Sequence, residues 1–191
     1  MIKNFNHSDI KEAAKIVHLV WGNFYAQESP EVQNIIYDFT LKYYDLNHKF
    51  SFSIFDNEFK GFLFASLKSD SNNSVIEFKK QIFKLANPKS QKTILDLYNY
   101  LDTCGKMVHE IMNKDDLMIG LFVSIQKGCG RQLLNELTKT ARNNKIKNIY
   151  LWTDTTCNYE YYSKNNFELV KKIKNYINEK PITTLIYKKA V

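Results

Sequence analysis

The chain has 191 residues, which is the usual size of one domain, and we expect a single domain over residues 1–191. Apolar residues make up 44% of the sequence and aromatic residues 14%, a composition that excludes a disordered chain. The longest apolar run, 118–123, is far shorter than the ~20 residues of a membrane-spanning helix, and the N-terminus lacks an apolar signal-peptide core. We therefore expect a cytoplasmic protein without a membrane segment.

The 27 basic and 20 acidic residues give a net charge of +7. The lysines are spread along the chain without a run of five or six, so nucleic-acid binding is disfavoured. A modestly positive surface suits a small ligand that carries phosphate. The three cysteines, Cys104, Cys129 and Cys157, are widely spaced and form no Cys-x-x-Cys pair, so we expect free thiols and no zinc site.

The first half of the sequence predicts two helices followed by a β-hairpin. A cap at Ser8 and apolar residues at helical spacing predict a helix that runs to about Tyr25. Pro30 marks the start of a second helix. The period then changes, and 50–55 and 61–67 read as strands joined by a turn.

A helical insert is predicted over about 70–114. One helix is expected over 75–86, and Pro88 breaks it. Ile94, Leu97 and Leu101 then keep helical spacing, and the apolar residues from Val108 onward either continue that helix or form another.

The second half of the sequence alternates strands and helices. The almost wholly apolar run 116–123 predicts a strand that is covered on both faces, in the middle of a sheet. An amphipathic helix follows, with Leu133, Leu134, Leu137 and Ala141 inward. The remaining elements are a strand over 149–154, a short helix over 158–164, and strands over 167–173 and 182–187 joined by a loop around 178–181. The order predicts an α/β (α+β) chain with a mixed sheet.

The turn Gly128-Cys129-Gly130 is the clearest chemical feature, because it stands between a strand and a helix. Glycines at such a turn let backbone N–H groups approach an anion, and the helix N-terminus adds free donors. Lys127 and Arg131 add full charges. The turn is neither the dinucleotide fingerprint, since the third glycine is missing, nor a P-loop. Turns of this kind are also found as purely structural features.

The sequence from about 117 to 173 resembles the GCN5-related N-acetyltransferase superfamily. That family has a strand, a Gly-x-Gly/Ala turn, a helix, a strand, and a helix with Phe/Tyr-Tyr-x-Lys-x-Gly-Phe. Residues 161–167 read Tyr-Tyr-Ser-Lys-Asn-Asn-Phe, with Asn166 in place of glycine; Asn tolerates the left-handed conformation that glycine supplies. The loop before Gly128 is shorter than is usual in the family. Ile125 stands where Gln or Arg is customary, and Gln126 is a substitute after a shift of one residue.

The resemblance implies a mixed, mostly antiparallel sheet with splayed central strands, flanked by helices, with the helical insert between the third and fourth strands. It also implies transfer of an acetyl group from acetyl-CoA to a small-molecule or peptide amine by direct attack, without a metal. The alternative is a non-catalytic acyl-CoA-binding or regulatory module on the same fold. Two roles are open for the insert: it covers the acceptor cleft, or it forms a homodimer interface.

The resemblance also implies roles for individual residues. The backbone of Leu121 and Val123 would bind the pantetheine arm, the Val123 N–H would polarise the thioester carbonyl, and Tyr162 would protonate the leaving thiolate. The residues expected to bind CoA are Leu121, Val123, Gln126, Lys127, Gly128, Cys129, Gly130, Arg131 and Asn158. Four carboxylates are candidates for the general base: Glu110, Asp115, Asp116 and Asp154.

Overall fold

The computed structural model describes residues 1–70, 80, 87–177 and 180–191, and its strands form one seven-stranded sheet of order β1-β2-β3-β4-β5-β7-β6. The strands are β1 (Ile2–Asn4), β2 (Phe52–Asp56), β3 (Glu58–Leu67), β4 (Leu117–Ser124), β5 (Asn148–Asp154), β6 (Glu168–Ile177) and β7 (Lys180–Ala190). The helices are α1 (Ile10–Trp21), α2 (Pro30–Tyr44), α3 (Pro88–Ile111), α4 (Cys129–Asn143) and α5 (Glu160–Ser163). Within the described ranges only β4 and β5 run parallel, which confirms a mixed, mostly antiparallel sheet.

The elements of the first half are confirmed with small shifts. The first helix ends at Trp21 and passes into a 3₁₀ turn over Gly22–Tyr25. Pro30 is the first residue of α2, and the Ser29 hydroxyl accepts a hydrogen bond from a backbone N–H of its first turn. β2 and β3 form the predicted hairpin, in which Asn57 takes the left-handed conformation of a tight turn. The three-residue β1 was not predicted, because so short a strand leaves no period to detect.

The described part of the insert is one uninterrupted helix, α3. Pro88, which was predicted to break a helix, is the first residue of this one, and the Asn87 side chain caps it. The helix predicted over 75–86 lies outside the described residues. The last two strands are longer than predicted, because Pro181 pairs with Tyr176 within the ladder that was expected to be a loop. None of the helices in the described ranges combines the length and apolarity needed to cross a membrane.

The helices cover the two faces of the sheet unequally. Helices α1 and α2 and much of α3 pack on one face, where their apolar side chains meet Phe62 and Phe64 of β3 and Val123 of β4. Helix α4 packs on the other face against Leu117 and Ile119 of β4. Alternate residues of β4 therefore contribute to both cores, as its near-continuous apolar run predicts.

The two parallel strands separate part-way along their length. Pairing between β4 and β5 ends at Ile119 and Leu151, although β4 continues to Ser124 and β5 to Asp154. On its other side β4 stays paired with β3, with an irregular step opposite Gly120. The expected splay of the central strands is thus confirmed, and it leaves unpaired backbone groups on facing edges of β4 and β5.

Candidate active site

The turn before α4 offers free backbone donors beside the splayed strands. Gly128 has φ of 90°, a left-handed conformation, and a Cβ built on it would meet nothing within 4 Å. The Gln132 N–H begins the helical ladder by donating to the Gly128 carbonyl at 3.2 Å. In the described ranges, the N–H groups of Gly130 and Arg131 have no backbone partner. The turn is therefore open to an anion.

The side chains of Ser124 and Tyr161 lie next to this turn. A Cβ at Gly130 would lie 2.9 Å from the Ser124 Oγ and 3.0 Å from the Tyr161 hydroxyl, so glycine lets the helix start close to both. The Tyr161 hydroxyl is buried and has no hydrogen-bond partner among the described residues. Burial raises the pKa of Tyr161, and the charge of Arg131 opposes that rise. Neither Tyr161 nor Ser124 was predicted to lie at the turn, because nothing in the sequence shows that both reach it.

The short loop before the turn is fastened to the β2–β3 hairpin. The Gln126 side-chain amide donates to Asp56 at 2.7 Å, and the Ile125 N–H donates to the carbonyl of Lys60 at 3.0 Å. The Gln126 side chain is thus engaged with the hairpin, while its carbonyl accepts from the Cys129 N–H at 3.2 Å.

The other residues expected to bind CoA lie in different settings. Lys127 is exposed beside the turn, whereas the Cys129 side chain is buried in the core beneath α4. Only the backbone of Cys129 can therefore meet a ligand. Asn158 is exposed in the loop before α5, and its carbonyl accepts from the Tyr161 N–H at 3.3 Å.

The register of β4 corrects the expected backbone donors. Because Ile125 donates its N–H to Lys60, the amides of every second residue before it face β3 as well. Val123 and Leu121 belong to this set and pair with Phe62 and Phe64 respectively. Their N–H groups point away from the gap, contrary to expectation.

The residues of β4 that alternate with Leu121 and Val123 face the gap instead. Phe122 and Ser124 direct their backbone groups toward β5, which has already diverged at this level. A shift of one residue in the pairing of β4 with β3 would exchange the amides that face the gap for those that face β3. The sequence alone does not determine this register.

Tyr162 belongs to an aromatic cluster on the α4 side of the sheet. Its ring centroid lies 5.7 Å from that of Tyr187 and 5.9 Å from that of Phe167. Burial raises the pKa of Tyr162, and the neighbouring Cys157 thiol raises it further. The hydroxyl therefore stays protonated at neutral pH.

The four candidate bases occupy distinct places. Glu110 and Asp115 are exposed. Asp116 stands at the start of β4, where the strands are still paired, and accepts a hydrogen bond from the Asn113 N–H at 2.9 Å. Asp154 alone lies at the splayed end, where its carboxylate accepts from the Tyr100 hydroxyl at 2.8 Å. Tyr100 comes from α3, so the insert reaches the end of β5.

The net charge of the chain is concentrated in its C-terminal third. Residues 127–191 contain 13 of the 27 basic residues and only 5 of the 20 acidic ones, a net charge of +8, so the rest of the chain carries −1. The positive segment contains the turn, α4 and strands β5 to β7. The open turn therefore belongs to the segment of the chain that carries the excess positive charge.

Comparisons with known proteins give similarity in structure but not in sequence. No protein-family profile matches the sequence, and no curated protein is similar to it in sequence. An aminoglycoside 6'-N-acetyltransferase complexed with coenzyme A is similar with a TM-score of 0.58 at 13% identity, over 100% of this chain and 96% of that one. An N-acetyltransferase from Staphylococcus aureus Mu50 gives 0.57 at 15% identity, over 97% and 99%.

The chain has the fold of the GCN5-related N-acetyltransferases. The similarity extends to the C-terminal condensation domain of Ebony in complex with beta-alanyl-dopamine, with a TM-score of 0.72 at 12% identity over 100% of this chain and 98% of that one. The resemblance drawn from the Gly128 turn and residues 161–167 is thus confirmed at the level of the fold.

Proposed function

We propose that this protein transfers an acetyl group from acetyl-CoA to the amino group of an acceptor by direct attack. One observation carries the proposal: β4 and β5 part after Ile119 and Leu151, directly beside the open turn at Gly128. An extended ligand with a phosphate group at one end can pass from the turn into the gap. The neighbour with bound coenzyme A supports this choice of donor.

The residues at the turn fit the anionic end of acetyl-CoA. The N–H groups of Gly130 and Arg131 would hold the pyrophosphate, and Lys127 and the Arg131 side chain would add charge. The Phe122 and Ser124 amides, rather than those of Leu121 and Val123, would bind the pantetheine arm and polarise the thioester carbonyl. Because the Gln126 side chain is engaged with Asp56, we assign it no contact with the ligand.

The chemistry needs little beyond positioning and proton transfer. Holding the amine beside the thioester removes much of the entropic barrier. The amine nitrogen attacks the carbonyl carbon and the carbon–sulfur bond breaks. Tyr162 gives its proton to the sulfur and recovers one from the nitrogen of the new amide. Its raised pKa keeps Tyr162 protonated at neutral pH, so the proton is present when the thiolate forms.

The proposal is tested first by binding. The chain has two arginines, Arg131 and Arg142, and both lie on α4. Arg142 is about 16 Å further along the helix, where it lines a basic groove with Lys139 and Lys189. In calorimetric titrations with CoA, we expect Arg131→Gln to weaken binding about fivefold, close to 1 kcal/mol. Arg142→Gln removes the same charge from the same helix and should leave the affinity unchanged.

Turnover then separates an enzyme from a binding module. Acetyl-CoA is incubated with a panel of amines, and the free thiol of CoA is measured. Saturable binding with release of thiol for one class of amine supports the proposal. Saturable binding without turnover for any amine would favour the non-catalytic module, and no binding at millimolar CoA would contradict both. Variants of Gly130 are unsuitable here, because a side chain would collide with Ser124 and Tyr161.

A further inference from the structure

Asp154 is a buried carboxylate without a cation. It lies three residues beyond the last residue of β5 that pairs with β4, and it is 6% exposed. Its three hydrogen-bond donors are uncharged: the Tyr100 hydroxyl at 2.8 Å, the Thr156 N–H at 2.8 Å and the Thr156 Oγ1 at 2.5 Å. In the part of the chain that the structure describes, no lysine, arginine or histidine forms an ion pair with it. Such burial is costly unless a positive group joins it.

Two further polar groups lie in the core beside Asp154. Trp152 projects from the same face of β5, and its ring lies 5.3 Å from that of Tyr100, which donates a hydrogen bond to Asp154. The Trp152 indole N–H and the hydroxyl of Tyr44 face each other, and Tyr44 is only 4% exposed. Tyr100, Trp152 and Tyr44 thus place polar atoms around Asp154 but no positive charge.

Position separates Asp154 from another carboxylate in a similar setting. Asp116 is also buried and bound by uncharged donors, here Asn113 and Asn148. It stands, however, at the end of β4 that remains paired with β5. Of these two carboxylates, only Asp154 lies at the end of the gap where the thioester would emerge.

The surroundings of Asp154 favour a positively charged ligand. Burial raises the pKa of Tyr100, and the charge of Asp154, which accepts the Tyr100 hydrogen bond at 2.8 Å, raises it further. Asp102, the next carboxylate along α3, is already paired with Lys106 at 2.7 Å, so Asp154 is the negative charge that acts at this position. An ammonium group is attracted here, whereas a carboxylate is repelled.

Aromatic side chains lie beside Asp154. Trp21, at the end of α1, contacts Cys157 in the loop that follows Asp154. The rings of Tyr100 and Trp152 lie 5.3 Å apart, and the Tyr100 hydroxyl donates to the carboxylate. Rings at this position suit an apolar or aromatic body, and they favour a cation nearby.

We propose that Asp154 binds the ammonium group of the acceptor and takes its proton, and that the acceptor is a monoamine with an aromatic or apolar body and no carboxylate beside the amine. The ammonium gives one proton to Asp154, and the neutral amine then attacks the thioester. Tyr100 is a positioning residue, supplied by the insert. The proton transfer rests on the proposed function, whereas binding of the amine does not.

A matched pair of substrates tests the class of acceptor. 2-Phenylethylamine and L-phenylalanine share the ring and the amine and differ by one carboxylate. We expect kcat/KM to favour 2-phenylethylamine at least about tenfold, since a second carboxylate near Asp154 is repelled. An equal or higher kcat/KM for L-phenylalanine, or for another amine with a carboxylate beside the amino group, would overturn the proposal.

Variants test the residues. Asp154→Asn keeps the size and the bonds from Thr156, while the amide N–H donates to the Tyr100 hydroxyl instead of accepting from it. The change should lower kcat/KM about 100-fold or more, without changing the affinity for CoA. Asp116→Asn makes the same change in the other buried carboxylate and should leave amine selectivity intact. Tyr100→Phe should lower kcat more than it raises KM, whereas a packing role would change only the melting temperature.

A binding assay tests the amine site at Asp154 independently of the proposed acetyl transfer. Trp21 and Trp152 are the only tryptophans of the chain, so fluorescence reports on this region. 2-Phenylethylamine is titrated with and without CoA. Saturable quenching that is lost in Asp154→Asn supports the amine site even if acetyl transfer fails. Absence of saturable binding in both titrations, or transfer to amines that Asp154→Asn leaves undiminished, would overturn it.

Discussion

The ring of Tyr44 in α2 lies directly against Gly120 in β4, so closely that a Cβ at Gly120 would overlap the ring. Gly120 stands opposite the irregular step of β3 and next to Ile119, the last residue of β4 that pairs with β5. An aromatic side chain is therefore seated at the point where the central strands part. Its hydroxyl reaches Trp152 of β5.

This contact predicts the cost of adding one methyl group. Gly120→Ala should destabilise the protein by about 1–3 kcal/mol, because the Tyr44 ring cannot move without disturbing the core. In a Tyr44→Ala background the same change should be neutral or slightly favourable, since alanine is otherwise preferred to glycine within a strand. Urea unfolding of the four proteins measures this coupling. Additive costs would show that the ring does not limit the site.

At Asn166 we expect substitution by glycine to be tolerated better than substitution by alanine. Asn166 has φ of 64°, the left-handed conformation that glycine adopts without strain. Asn166→Gly should therefore change stability by only a few tenths of a kcal/mol, whereas Asn166→Ala should cost about 1 kcal/mol. Thermal unfolding measures both, with Ser163→Ala at an exposed site of α5 as the control. Equal tolerance of glycine and alanine would contradict the backbone argument.

The fold could be predicted from the sequence because its signals are local. The Gly128 turn, the amphipathic pattern of α4 and the run 161–167 each report on a few neighbouring residues. The apolar run of β4 likewise reflects burial on both faces. These patterns fix the order of the elements, and the order leaves few arrangements of the sheet.

The site could be predicted only in part, since it depends on long-range geometry. On β4 the backbone groups that face the gap belong to Phe122 and Ser124 rather than to Val123, and only the pairing with β3 defines this register. Asp154 was one of four candidates, and the Tyr100 hydroxyl that donates to it is 54 residues away in the sequence. No local pattern records such a contact.

His109 in α3 predicts how stability depends on pH. Burial lowers its pKa, and the charge of Lys68 lowers it further. The unfolded chain therefore takes up this proton at a higher pH than the folded one, so stability falls as the pH drops through about 6.5 toward the folded pKa. His109→Gln removes the titration. Its melting temperature should vary less between about pH 7.5 and 5.5 than that of the wild type.

The same substitution at an exposed histidine is the control. His7→Gln should leave the pH dependence of the wild type in place. A wild-type melting temperature that rises on acidification, or a His109→Gln variant with the full slope, would show that another group is responsible.

Tyr162 predicts both a rate and a pH profile. If it protonates the leaving thiolate, Tyr162→Phe should lower kcat about 10²–10⁴-fold while the affinity for CoA stays the same. Since burial raises its pKa above the usual value near 10, the wild type should show no alkaline loss of kcat between about pH 8 and 10. Tyr159→Phe, a half-buried neighbour that packs on the same core, is the matched control and should retain most of the activity. A loss of kcat near pH 9 that persists in Tyr162→Phe would show that another group donates the proton. Phenylalanine cannot ionise, so a loss that remains in this variant cannot come from residue 162.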